Sequence, residues 1–106
     1  MPKLSRDKGL RIEREIVNAH LDLGVHAERV PDSGAAKYRA NGADVDIYPW
    51  GKDAAPLCCE VKARASGDGF VTLERWLGDA DAMFLRRNRG KPIVVVPWAT
   101  WVKLLK

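Results

Sequence analysis

The sequence predicts an α/β fold: a helix, three strands, a second helix, two strands and a terminal helix around one sheet. Two observations carry this. Ile12, Ile16, Ala19 and Leu23 recur every three to four residues, the spacing of one helix face. Ala43 to Pro49 and Ile93 to Val96 instead show the short, β-branched, alternating pattern of strands, bounded by turn residues. At 106 residues the chain has the length of a single domain with a modest core, so residues 1–106 are expected to form one unit.

The first helix is expected over residues 7–23, with Asp7 at its N-cap and Gly24 as its stop. Val25 to Pro31 alternates as a short strand. Residues 32–42 are turn-rich and basic, and a loop of that length in so small a domain is usually functional or mobile. Ala43 to Pro49 sets Asp44 and Asp46 against Val45 and Ile47, a strand with one acidic and one apolar face. Trp50 to Pro56 reads as a hairpin connection, and Leu57 to Lys62 as the next strand. A short helix follows from Phe70 to Leu77, with Thr72 as its N-cap and Gly78 as its end. Ala82 to Arg87 reads as a buried strand or a helix end. Ile93 to Val96 is the clearest strand, Pro97 stops it, and Trp98 to Lys106 forms the last helix.

Charge and cysteine content narrow the function classes. The formal charge is +4 and the pI about 9.3, compatible with a polyanionic partner. The cations crowd near the start, from Lys3 to Arg14, and again at Arg86, Arg87, Arg89 and Lys91. No apolar run approaches the roughly 20 residues of a membrane span. The charged start lacks the apolar stretch of a secretion signal. The two cysteines, Cys58 and Cys59, make neither a disulfide framework nor a zinc site, and read as packing residues. Together these features predict a cytoplasmic protein.

The chemistry centres on Asp44 and Asp46 together with Glu60-Val61-Lys62. Residues two apart on a strand point to the same side. If the two runs pair, carboxylates and one ammonium converge on one patch. Aspartates are disfavoured in strands and repel one another across a shared face unless a cation sits between them. Carboxylate oxygens are the ligands that Mg²⁺ takes. His20 and His26 read as ordinary helix and strand residues, and Trp76, Trp98 and Trp101 as core or dimer packing.

The acid, a connection and then Glu-x-Lys resembles the PD-(D/E)xK nuclease superfamily. Glu60 follows Asp46 by 14 residues and Asp44 by 16. The run Lys8-Gly9-Leu10-Arg11-Ile12-Glu13-Arg14-Glu15 and the segment Arg29…Ser33-Gly34 are similar to archaeal- and phage-type Holliday junction resolvases. The superfamily's proline before the acid is absent here. The resemblance covers about Lys8 to Pro97. It implies a restriction-endonuclease-like α-β-β-β-α-β core with a mixed central sheet flanked by helices.

The resemblance also implies roles. Glu60 matches a metal ligand and Lys62 the catalytic lysine. Glu13 matches the helix acid that completes the metal site, and Ser33 the serine ahead of the acidic strand. Either Asp44 or Asp46 matches the first strand acid. The implied metal set is Asp44, Asp46, Glu60, the Val61 carbonyl and Glu13, holding Mg²⁺ or alternatively Mn²⁺. Arg11, Arg14, Arg29, Lys37, Arg39 and Arg64 are expected to meet DNA phosphates. The implied activity is Mg²⁺-dependent hydrolysis of phosphodiesters in branched or junction DNA by a homodimer. The competing readings are a catalytically inactive DNA-binding or architectural protein, and a nicking or repair nuclease on the same fold.

Overall fold

A computed structural model describes residues 2–30, 44–64 and 67–106, the side chains of residues 2–8 and 68 excepted. The elements follow the expected order: helix α1 (Pro2–Asp22), strands β1 (His26–Arg29), β2 (Val45–Tyr48) and β3 (Leu57–Cys59), helix α2 (Asp68–Leu77), strands β4 (Met83–Leu85) and β5 (Ile93–Val95), and helix α3 (Trp98–Leu104). The described strands pair as two antiparallel sheets, β1-β2-β3 and β4-β5, where one mixed sheet was expected. The chain divides into two compact units, residues 1–63 and 64–106.

In the first unit, α1 starts five residues earlier than its apolar spacing suggests, so Asp7 lies inside the helix and does not cap it. The C-terminal stop is as expected. Gly24 takes φ 81°, its N–H reaches the Leu21 carbonyl at 2.9 Å, and the Val25 N–H reaches the His20 carbonyl at 2.9 Å. This pair of bonds closes the last turn around a left-handed residue that only glycine adopts cheaply.

α1 packs on β1 and β2. The register sets Ala27 opposite Ile47, Glu28 opposite Asp46, and Arg29 opposite Val45. Opposed residues share a face, so Ala27, Val45 and Ile47 form the side that α1 covers. They are buried, as is Val30. Full burial of a valine or isoleucine contributes about 1.5–3 kcal/mol. His20 joins this core at 1% exposure. A histidine is tolerated there because its Nδ1 lies 2.7 Å from the Ile16 carbonyl.

The other face is not the open acidic surface that alternation suggests. Asp46 is 2% exposed, flanked by Glu28 on β1 and Cys58 on β3. β2 is the central strand of the three. β2 turns into β3 through Gly51, which takes φ 100° and closes on the Tyr48 carbonyl. β3 ends at Cys59, so Glu60, Val61 and Lys62 lie just beyond the strand in irregular backbone.

In the second unit, α2 begins at Asp68 after Gly67, which places Thr72 within the helix and not at its cap. Gly78 ends it, donating to the Glu74 carbonyl at 3.0 Å. β4 is not buried. Phe84 is 70% exposed, and on β5 Ile93 and Val94 are also exposed. Among the described residues β4 and β5 form a two-stranded sheet of three residues each, too small to bury its own side chains. α3 is tied to the chain before β4 by the Thr100 hydroxyl, which donates to the Asp81 carbonyl at 2.6 Å. No helix of the described residues is long and apolar enough to cross a membrane.

Candidate active site

The first unit gathers the charged candidates at one end of its sheet. That end holds the C-terminus of β1 at Arg29, the chain entering β2 at Asp44, and the C-terminus of β3 at Cys59. The antiparallel order makes this arrangement unavoidable, because β1 and β3 both run toward the end where β2 begins.

Asp44 is held tightly there. Its N–H donates to the Cys59 carbonyl at 3.0 Å, and its carbonyl accepts from the Val30 N–H at 2.9 Å. Its side-chain Oδ2 accepts from the Val61 N–H at 2.9 Å. Asp44 thus bonds to the residues on both sides of Glu60. The carboxylate takes the place of a main-chain acceptor where the β2–β3 ladder stops.

Glu60 and Lys62 are both exposed, and the Lys62 Nζ lies 3.9 Å from Glu60 Oε2. They share a side although the strand has ended. Asp46 sits one step deeper, opposite Cys58 and within the ladder. Glu13 is brought to the same end by α1, where Arg29 Nε donates to Glu13 Oε1 at 3.1 Å. The pair is half-buried, with side-chain exposures of 26% for Arg29 and 12% for Glu13. Arg29 shares its face with Val45, so this pair lies on the α1 side of the sheet, and Asp46 on the other.

The remaining candidates are spread out. Arg11 and Arg14 are exposed on α1 and, with Leu10, Glu15 and Asn18, line a shallow depression of about 340 Å³. Arg64 is exposed at the start of the second unit. Ser33, Lys37 and Arg39 lie outside the described residues. Among the described residues, no three His, Cys, Asp or Glu side chains group closely enough to hold a metal ion by themselves.

Two features beside this site were not read from the sequence. The Tyr48 hydroxyl donates to Glu28 Oε1 at 3.0 Å, and His26 Nε2 lies 3.6 Å from Glu28 Oε2. This trio shares the Asp46 face of the sheet, and only the register reveals it. The second feature is Cys59. Burial pushes its thiol above the ordinary value of 9.0, and Cys58 and the Asp46 carboxylate add to the shift. A thiol held neutral is neither a ready nucleophile nor a metal ligand. It rests instead against the Leu57 carbonyl at 3.5 Å.

Comparison with curated proteins and with solved structures found no match. Comparison with protein families did. The model of the family described as archaeal Holliday junction resolvase (hjc) matches residues 4–104, spanning both units and every candidate above. By this match, together with its helix, three-stranded antiparallel sheet and following helices, the chain belongs to the archaeal Holliday junction resolvase family.

Proposed function

We propose that this protein is a divalent-metal-dependent endonuclease that cuts branched DNA, with Asp44, Glu60 and Lys62 at its centre. The observation that carries the reading is the bonding of Asp44 to Cys59 and Val61, which brackets Glu60. The donor set suits Mg²⁺ or Mn²⁺. Two carboxylates and the Val61 carbonyl are hard oxygen ligands, and Mg²⁺ usually takes one or two carboxylates with water and substrate phosphate completing its shell. An open set of this kind also agrees with the lack of a three-carboxylate group among the described residues. Asp46 stands behind Asp44, one step along the strand.

When bound, the metal neutralises the phosphodiester and lowers the pKa of its water. The chain's own groups do the rest. Asp44 and Glu60 hold and orient. Lys62 stands next to Glu60 and stabilises the charge that builds on the phosphorus oxygens. Glu13, fixed by Arg29, orients a water at the rim. Ser33, eleven residues ahead of Asp44 in the sequence, contacts the phosphate. Arg11 and Arg14 hold flanking phosphates, so binding weakens steeply with salt. A junction has two-fold symmetry and one subunit offers one cut, so a homodimer suits the substrate.

The same lack of a closed carboxylate group favours a second reading, DNA binding without turnover. One assay decides. The protein is incubated with a four-way junction, a nicked duplex, a linear duplex and single strands, with Mg²⁺ or with EDTA. Junction cleavage that needs Mg²⁺ and disappears in Glu60→Ala and Lys62→Ala, with binding kept, supports the nuclease. Binding without cleavage under all metals supports the second reading. Cleavage unchanged in both variants would remove Glu60 and Lys62 from the site.

A further inference from the structure

The second unit carries a cleft of about 460 Å³ that the acidic site does not use. It is lined by Trp76 from α2, Leu85 and Ile93 from the two strands, and Arg86, Arg87 and Lys91 from the turn between them. The volume lies within the range of clefts that take small ligands, roughly 300–1,000 Å³. Its lining contains three cations and no carboxylate. The turn Arg86-Arg87-Asn88-Arg89-Gly90-Lys91 holds four cations in six residues, and all four are exposed. Among the described residues none of the four forms an ion pair with an acidic side chain.

Trp76, in the lining of this cleft, is 60% exposed. An exposed indole beside cations offers a ligand both a stacking face and charge. The turn backbone adds a second sign. The Gly90 N–H closes on the Arg87 carbonyl at 2.9 Å, and Arg89 takes φ 63° at the position where Gly or Asn is usual. A bulky residue held in the left-handed region is strained, and such strain gathers at binding sites.

We infer that this cleft binds an unpaired nucleotide of single-stranded DNA, with the base stacked on Trp76 and its phosphates held by Arg86, Arg87 and Lys91. Charge complementarity selects a polyanion, and an exposed aromatic face beside cations is how single strands are held without regard to sequence. The inference needs DNA as partner but does not rest on the acidic cluster.

The test is equilibrium binding, in EDTA, of a fluorescein-labelled twelve-nucleotide oligo-dT and of an abasic twelve-mer with the same backbone. Stacking on an aromatic side chain contributes about 1–3 kcal/mol per base, so Trp76→Ala is expected to weaken oligo-dT binding about five- to 150-fold. It leaves the abasic strand unaffected, and Trp76→Phe retains most of the affinity. Arg86→Ala with Arg87→Ala weakens both strands. It lowers the salt slope by about 1.4, at about 0.7 per phosphate contact on a single strand. Unchanged oligo-dT binding in Trp76→Ala overturns the inference, as does equal weakening of both strands. Circular dichroism shows whether each variant is folded. Loss of base-dependent binding in Trp76→Ala alongside normal cleavage by Glu60→Ala would leave the cleft standing and the nuclease assignment fallen, and the reverse pattern would do the opposite.

Discussion

Asp44 and Val61 are joined side chain to backbone at 2.9 Å, across the point where the β2–β3 ladder ends. Asp46, two residues further along β2, is paired inside that ladder and buried. The two aspartates therefore have different consequences when replaced. Asp44→Ala is expected to lower Mg²⁺-dependent junction cleavage by at least about 100-fold, the loss typical of removing one charge-stabilising group. Asp46→Ala is expected to lower folding stability by roughly 1–3 kcal/mol, because the groups around a buried carboxylate lose their acceptor. Single-turnover cleavage and urea unfolding on both variants check this. A stability loss confined to Asp44→Ala would reverse the assignment.

Glu13 and Arg29 hold one another across the α1–β1 contact. A double-mutant cycle of Glu13→Ala and Arg29→Ala, read by urea unfolding, is expected to give a coupling of roughly 1–2 kcal/mol, as for a half-buried, charge-assisted hydrogen bond. The same pairing occupies the Arg29 guanidinium. Arg14→Ala should therefore reduce the salt slope of duplex binding by about 1, and Arg29→Ala by clearly less. Additive unfolding energies, or equal salt slopes, would show that the pair does not persist in solution.

Glu60 and Lys62 are 3.9 Å apart and exposed. Solvent screening leaves such a pair worth roughly 0–1 kcal/mol. Glu60→Ala and Lys62→Ala should keep thermal unfolding within about 0.5 kcal/mol of the parent protein while cleavage is lost. A large drop in stability would mean that these side chains serve the fold.

The Cys59 thiol is raised from 9.0, chiefly by burial. The folded protein therefore keeps a proton that the unfolded chain gives up. Stability from this group is fully present below pH 9.0 and declines as pH rises through the folded value. Relative to Cys59→Ala, the parent protein should lose stability above about pH 9, measured by urea unfolding across an alkaline series. A thiol-reactive dye at pH 8 should label exposed Cys58 well before Cys59. Parallel pH curves, or the reverse order of labelling, would count against the burial of Cys59.

Helix and strand order were legible because periodicity is a local property. Ile12, Ile16 and Ala19 mark the face of α1, and Val45 and Ile47 mark the buried side of β2, without any partner being known. Boundaries were less legible. Asp7 and Thr72 are good capping residues, yet both sit inside helices, because the chain before each of them continues the helix. Leu57 to Lys62 reads as one strand, but pairing ends at Cys59, where the Asp44 side chain replaces the main-chain acceptor that a longer ladder would need. The exposure of Phe84 was hidden too, since an apolar residue looks the same whether or not an element covers it.

The sequence by itself determined the element order, the acidic character of the strand at Asp44 and Asp46, and the Glu60-Val61-Lys62 signature with Glu13 ahead of it. These depend only on residue type and spacing. Only the tertiary structure decided that Asp44 bonds beside Glu60 while Asp46 is buried, that Glu13 is held by Arg29, and that Trp76 meets the cations of the turn from Arg86 to Lys91. Strand register and helix packing make those choices, and both arise from contacts between residues far apart in the chain.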